Sequence, residues 1–171
     1  MTAAEYLFAG QCLLSTEPQE LSAAAREVFS DPAPWLEALT VDPMDLEREY
    51  VRLFLSPGGA ICPPWQSVWT KEQETGLLMG DAHSSALSFF REYGMAPSRG
   101  SEPADHAGLL LLFAGMLLDR GVPEDEFERY RIRHLEWVGA LAERIAAETR
   151  LAFYRLVARE LLTPQRAASF A

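Results

Sequence analysis

The stretch from Ala107 to Leu118 is apolar along its whole length, and it constrains the fold more than any other feature of the chain. It is too short to span a bilayer, which takes about 20 apolar residues, and it has the character of a helix buried within a protein core. A chain that buries such a helix must wrap it in other amphipathic elements. The rest of the sequence supplies them at helical spacing, with no alternating strand of useful length. Thr2-Ala3-Ala4-Glu5 reads as a capping box opening a first helix. A second helix runs from near Pro18 to Phe29, with Leu21, Ala25, Val28 and Phe29 on one face. It stops before Asp31-Pro32, because the residue ahead of a proline avoids the α region. Pro34 introduces a short segment containing Trp35, Leu36 and Leu39. Asp42-Pro43 then marks a helix start, with an aspartate cap and proline at the first helical position. The helix it opens carries a core-facing stripe of Leu46, Tyr50, Leu53 and Phe54.

Two loops interrupt this pattern. Ser56 to Gln66 holds three prolines and two glycines in eleven residues and cannot continue a helix. Asp81 to Tyr93 is helical again, with Ala82, Ala86, Phe89, Phe90 and Tyr93 inward and Gly94 just past its end. Met95 to Ser101 is the second loop. Glu102-Pro103-Ala104-Asp105-His106 is expected to form the first turn of the apolar helix, with Pro103 where its missing N–H does no harm and Asp105 at the positive end of the dipole. Gly121-Val122-Pro123 ends that element. Two more helices follow, one with His134, Trp137, Leu141 and Ile145 on a face, the last with Phe153, Leu156, Val157 and Leu161, closed by Thr163-Pro164. The expectation is a single all-α domain over residues 1–171, a bundle of short helices long enough to bury about 70% of its extended surface without a disulfide or metal.

Charge and composition narrow the function. Lys and Arg total 15 against 25 Asp and Glu, a net charge of −10. Nucleic-acid binding and docking on an anionic membrane both need the opposite sign. Cys12 and Cys62 lie far apart and outside any CxxC, which points to reduced thiols in a cytoplasmic protein. The N-terminus has no basic leader region and carries Glu5 inside its apolar stretch, unlike a secretory signal. His83, His106 and His134 are not spaced as metal ligands, and no cofactor or metal is expected. Ser56-Pro57-Gly58-Gly59 lacks the phosphate-loop pattern, and the lone Lys71 is not beside it. No serine sits in a nucleophile elbow, and adjacent Asp105 and His106 would point about 100° apart on a helix, so no catalytic residue is assigned.

Two constellations remain. In Pro63-Pro64-Trp65-Gln66-Ser67-Val68-Trp69, two tryptophans four residues apart follow a rigid diproline. The rings either plug the core beneath the loop or offer a binding surface. In Glu102-Pro103-Ala104-Asp105-His106, Glu102 and His106 stand at i and i+4 and can share a helix face. That segment is either a cap with a half-buried histidine or an acidic site for a basic ligand. A carboxylate meeting an arginine fork in partial burial gains on the order of 1.5–3 kcal/mol.

These motifs, together with Glu49-Tyr50-Val51-Arg52-Leu53-Phe54-Leu55-Ser56-Pro57-Gly58, resemble the signatures of the TorD/DmsD family of redox-enzyme maturation chaperones, most closely its DmsD branch and more distantly NarJ. The likeness is good from Glu49 through Asp119 and looser through His134-Leu135-Glu136-Trp137 and Phe153-Tyr154-Arg155. Trp69 stands where tyrosine is commoner, Cys62 is an extra cysteine before the diproline, and the N-terminal part is compact. The resemblance implies a TorD-like helical bundle and a cytoplasmic chaperone, not an enzyme. Such a chaperone binds the twin-arginine signal peptide of a molybdopterin-dependent oxidoreductase of the dimethyl-sulfoxide-reductase type and assists assembly of that catalytic subunit before export. Pro64, Trp65, Trp69, Glu102, Asp105 and His106 are the peptide-site positions it carries over. Chemically this is coherent, since a basic stretch followed by an apolar one calls for carboxylates beside an apolar groove. Two other functions compete with it: a permanent assembly subunit of a redox complex, and a small helical hydrolase using Asp105 and His106.

Overall fold

The computed structural model describes residues 1–56, 59–70, 80–96 and 102–168, with side chains as far as Thr163. Pro57, Gly58, Lys71 and residues 97–101 of the second loop lie outside the described residues. The helices are α1 (Ala3–Cys12), α2 (Pro18–Val28), α3 (Ala33–Ala38), α4 (Pro43–Tyr50), α5 (Gln66–Trp69), α6 (Asp81–Glu92), α7 (Ala107–Asp119), α8 (Glu124–His134), α9 (Val138–Glu148) and α10 (Ala152–Ala168). The architecture is all-α, and among the described residues no strand longer than an isolated bridge occurs.

The local signals act as elementary chemistry requires. The Thr2 hydroxyl accepts from the Glu5 N–H while the Glu5 carboxylate accepts from the Thr2 N–H, closing the capping box of α1. Asp42 caps α4 by accepting from the Met44 N–H at 2.8 Å. Gly94 and Gly121 leave α6 and α7 at φ +70° and +65°, a region open to glycine at no steric cost.

Helix α7 is the buried centre. Leu110, Leu111, Phe113, Ala114 and Leu117 are almost completely covered. Helix α1 packs along it at very short range. A Cβ built on Gly108 would lie 2.5 Å from Leu14 Cγ and 3.0 Å from the Gly10 carbonyl, and one on Gly115 would lie 2.8 Å from the Ala3 carbonyl. The glycines of the apolar run thus let two backbones meet. Around this axis, Phe8, Phe29, Trp35 and Phe153 form one aromatic cluster, and Phe90, Phe113 and Tyr130 another. The Tyr130 hydroxyl donates to the Leu110 carbonyl at 2.8 Å, so its polar end is satisfied inside the core.

The Glu49–Arg52 pair straps α4 to the corner between α9 and α10. Glu49 accepts two bonds from Arg52 at 2.7 and 2.9 Å, and others from the Arg150 N–H and the Thr149 hydroxyl. Burial pushes its carboxyl pKa up, but these donors outweigh burial and hold it below the usual range. Arg52 also donates to the Glu148 carbonyl at 2.6 Å.

Four sequence expectations are corrected. The α4 stripe continues through Leu53 and Phe54, but Val51–Leu55 winds as a π turn. Residues 102–105 are not the first turn of α7: the Pro103 carbonyl accepts from the His106 N–H in a separate turn, the Ala104 N–H goes to His83, and the Asp105 carbonyl accepts from the Gln66 N–H. Glu102 and His106 therefore do not share a helix face, and Pro103 and Asp105 lie outside α7. Where two helices were expected after Gly121 there are three, since the chain turns between His134 and Val138. Helix α10 does not stop at Thr163-Pro164 but runs to Ala168.

Candidate functional site

The diproline segment and the entrance to α7 are joined through their backbones. The Ala107 N–H donates to the Pro64 carbonyl at 2.7 Å, and the Gln66 N–H to the Asp105 carbonyl at 3.0 Å. Trp65 and His106 thus form an isolated antiparallel bridge. Proline carbonyls accept as well as any other, so the missing N–H groups of Pro63 and Pro64 cost this pairing nothing. Asp105 adds a side-chain bond. Its Oδ2 accepts from the Ser67 N–H at 3.1 Å and caps the short helix α5 from across the chain.

This junction brings Pro64, Trp65, Asp105 and His106 together. Trp65 and His106 meet edge to face with centroids 6.1 Å apart. Trp69, at the other end of α5, stacks near Trp137 and donates its indole N–H to the Pro63 carbonyl at 2.8 Å. Neither alternative for the tryptophans holds alone: Trp65 and Trp69 are both half-buried, part plug and part surface. Glu102 is half-exposed and engaged in its own contacts at the margin. Asp105 and His106 are 0% exposed, so they form the floor of the site and not its rim.

The floor is chemically incomplete. Trp65 Nε1, Ser67 Oγ, Asp105 Oδ1 and His106 Nε2 are all covered, yet none has a hydrogen-bond partner among the described residues. Folded proteins leave few such groups, and several at one junction are unusual. Their polarity is readable. His106 Nδ1 accepts from the Gly108 N–H at 3.0 Å and caps α7. Burial lowers the imidazole pKa to about 4, so the ring is neutral at pH 7. Its proton is therefore on Nε2, which together with the Trp65 N–H presents two donors, while Asp105 Oδ1 presents one acceptor.

Sequence spacing missed a supporting network. The Gln66 amide donates to the Arg133 carbonyl at 2.8 Å, so its oxygen accepts from His134 Nδ1 at 2.9 Å. His134 Nε2 then faces the Ser85 hydroxyl at 3.4 Å, and Arg133 Nε donates to that same hydroxyl at 3.2 Å. Burial first, and Arg133 second, lower the His134 pKa to about 4. His83 Nδ1 accepts from the Ala104 N–H at 2.9 Å and steadies the entrance to α7. No local pattern links Gln66, Ser85 and His134; the only hint was that each is polar on an otherwise apolar face. Among the described residues no three His, Cys, Asp or Glu side chains are grouped to hold a metal, and no helix is long and apolar enough to cross a membrane.

The fold is of the all-α class, a helical bundle with an aromatic loop stitched to the polar mouth of its central helix. Comparison with known proteins gives that class a family. A crystal structure of a candidate redox enzyme maturation protein from Archaeoglobus fulgidus superposes with a TM-score of 0.71 over 95% of this chain and 93% of that one, at 24% identity. The Tat proofreading chaperone DmsD of Salmonella typhi is 36% identical over 77 residues, 44% of this chain and 37% of the relative. The chaperone protein YcdY of Escherichia coli is 31% identical over 121 residues, 68% of this chain and 59% of the relative. The chain thus spans a little over one third of the DmsD relative and about three fifths of the YcdY relative. The family model of the nitrate reductase delta subunit matches residues 14–149. The chain belongs to that family, the group of the TorD, DmsD and NarJ proteins.

Proposed function

We propose that this protein is a cytoplasmic chaperone that binds the twin-arginine signal peptide of a molybdopterin-dependent oxidoreductase and assists assembly of that catalytic subunit before export. The observation that carries the reading is the set of covered, unpartnered groups at Asp105, His106 and Trp65 beneath two half-buried indoles. The names of the DmsD and YcdY relatives support it.

In this reading the indole faces of Trp65 and Trp69 meet the peptide first. Its apolar residues cover the rings, and Pro64 keeps the loop from collapsing. A guanidinium then reaches Asp105 Oδ1 as the indole of Trp65 shifts aside. Asp105 Oδ2 already serves the Ser67 N–H, so one oxygen accepts from the arginine while the other holds the loop. A charge-assisted bond in a covered site is strong because little water competes for it. His106 and Trp65 donate to peptide carbonyls, which fixes the backbone. Glu102 adds negative charge at the margin, and the net charge of −10 speeds encounter with a basic peptide at low salt.

Calorimetric titration with a synthetic twin-arginine peptide and its twin-lysine counterpart tests the proposal. Lysine offers a point charge in place of a planar fork, so the arginine peptide is expected to bind at least about tenfold more tightly. Equal affinity for the two, or no binding of either, would overturn the reading.

A further inference from the structure

Gln66 of α5, His134 of α8 and Ser85 of α6 form a line of hydrogen bonds that ends on a partly exposed hydroxyl. Each proton along the line is placed by its neighbours. The Gln66 amide N–H₂ group is committed to the Arg133 carbonyl, so its oxygen accepts the His134 Nδ1 proton at 2.9 Å. Nε2 of the neutral ring therefore carries a lone pair, and it faces Ser85 Oγ at 3.4 Å. Arg133 Nε donates to the same oxygen at 3.2 Å, which leaves the Ser85 proton to point at His134. A cation on the oxygen and a base on the proton both draw the hydroxyl toward an alkoxide.

This is the order nucleophile, base and orienting group, with an amide in the third place as in cysteine–histidine–asparagine sites. The separation of 3.4 Å exceeds the about 2.6–3.2 Å of an engaged pair, as is common before a substrate is seated. His134 is completely buried, and burial keeps its ring in the basic form at pH 7. His83 and His106 are held differently, since each spends its Nδ1 lone pair on a backbone N–H, from Ala104 and Gly108. Ser85 and Arg133 both line a groove of about 830 Å³, so a carbonyl compound can approach Oγ from solvent with the other N–H donors of Arg133 at hand.

We infer that Ser85 is a nucleophile for acyl transfer from small activated carboxylic esters, with His134 as general base, Arg133 as donor to the oxyanion and Gln66 as the positioning residue. Ser85 Oγ attacks the carbonyl carbon as its proton passes to His134 Nε2, and the carbonyl oxygen takes the electron pair beside Arg133. Collapse of the adduct breaks the ester C–O bond, and the alcohol leaves with the proton from His134. Water then adds to acyl-Ser85 while giving a proton to His134, and Ser85 regains that proton as the acid departs. Ester and water become acid and alcohol. The third group is an amide and not a carboxylate, so the imidazolium gains less than in a serine–histidine–aspartate site, which restricts the reaction to esters with good leaving groups. The activity is separate from peptide binding and does not rest on it.

Helix α6 carries its own control. Ser84 and Ser88 are more exposed than Ser85, and among the described residues neither hydroxyl bonds to a histidine; Ser88 donates to the Ser84 carbonyl. The whole chain is treated with a fluorophosphonate, which modifies activated serines with loss of fluoride, and its peptides are read by mass spectrometry. Ser85 should be modified at least about tenfold faster than Ser84 or Ser88. Hydrolysis of p-nitrophenyl butyrate should fall to background in Ser85→Ala and at least about 100-fold in His134→Gln, with thermal melting showing that both variants are folded. Should His134→Gln not fold, the comparison of the three serines in the wild type decides. Modification of all three at one rate, or of none, would overturn the assignment, as would ester hydrolysis that survives Ser85→Ala.

Discussion

Asp105 has two roles that one pair of substitutions can separate. Its Oδ2 caps α5 through the Ser67 N–H at 3.1 Å, while Oδ1 is covered and has no partner among the described residues. Replacing Asp105 by Ala removes both oxygens. It leaves the Ser67 N–H without its acceptor, which costs about 1.5–3 kcal/mol for a hydrogen bond to a charged group. For a chain of this length each kcal/mol lowers Tm by about 2–4 °C, so a fall of about 3–12 °C is expected. Replacing Asp105 by Asn keeps an oxygen for Ser67 and puts an amide where Oδ1 stood. Stability should then stay within about 1 kcal/mol of wild type, because the lost charge was itself expensive to bury. Peptide affinity should nevertheless fall about 10- to 150-fold, since an amide N–H₂ cannot accept from a guanidinium. Urea unfolding followed by circular dichroism gives the first quantity and calorimetry the second. If the Asn variant binds the twin-arginine peptide like wild type, Oδ1 does not read arginine. If it melts as low as the Ala variant, the charge and not the oxygen holds the loop.

Further predictions concern packing and pH. Gly108→Ala forces a Cβ to within 2.5 Å of Leu14 Cγ and 3.0 Å of the Gly10 carbonyl, so α1 and α7 must separate. A loss of about 1–3 kcal/mol is expected in urea unfolding, and an unchanged midpoint would show that α1 is not seated as described. His106 and His134 are held neutral by burial, with pKa values lowered to about 4, whereas the unfolded chain binds protons near 6.5. The unfolded state therefore takes up more protons as pH falls from 7 toward 4, and stability falls with it. Each histidine accounts for about 2 kcal/mol between pH 7 and pH 5. Unfolding midpoints at the two pH values check this, and His106→Gln should remove close to half of the difference.

How much of this was legible in the sequence follows from the range of the interactions involved. The start of α4 at Asp42-Pro43 and the ends of α6 and α7 at Gly94 and Gly121 rest on chemistry within one turn, and local pattern identifies them. The stretch Glu102 to Asp105 also had helix-start composition, but Asp105 is bound to Gln66 and Ser67, some forty residues away, and Ala104 to His83, about twenty away. Local spacing cannot report a pairing of that kind. The corner between α8 and α9 hid for another reason. His134, Trp137, Leu141 and Ile145 are all buried, so helical periodicity of burial runs straight through a break in the backbone. The motif residues Pro64, Trp65, Asp105 and His106 do converge, but the depth of Asp105 and His106 depends on the non-local bridge, and the sequence suggested a half-buried histidine where the fold buries it completely.

The central claim is that a basic peptide engages the covered junction beneath the indole of Trp65. The chain has four tryptophans, whose indole N–H signals separate in a nitrogen–proton correlation spectrum. Trp69 and Trp137 already donate to Pro63 and His134, and Trp35 is buried in a distant aromatic cluster. Titration with the twin-arginine peptide should shift the Trp65 signal saturably, with the same midpoint as calorimetry, and leave Trp35 where it was. A Trp65 signal that stays fixed at saturating peptide would contradict the account.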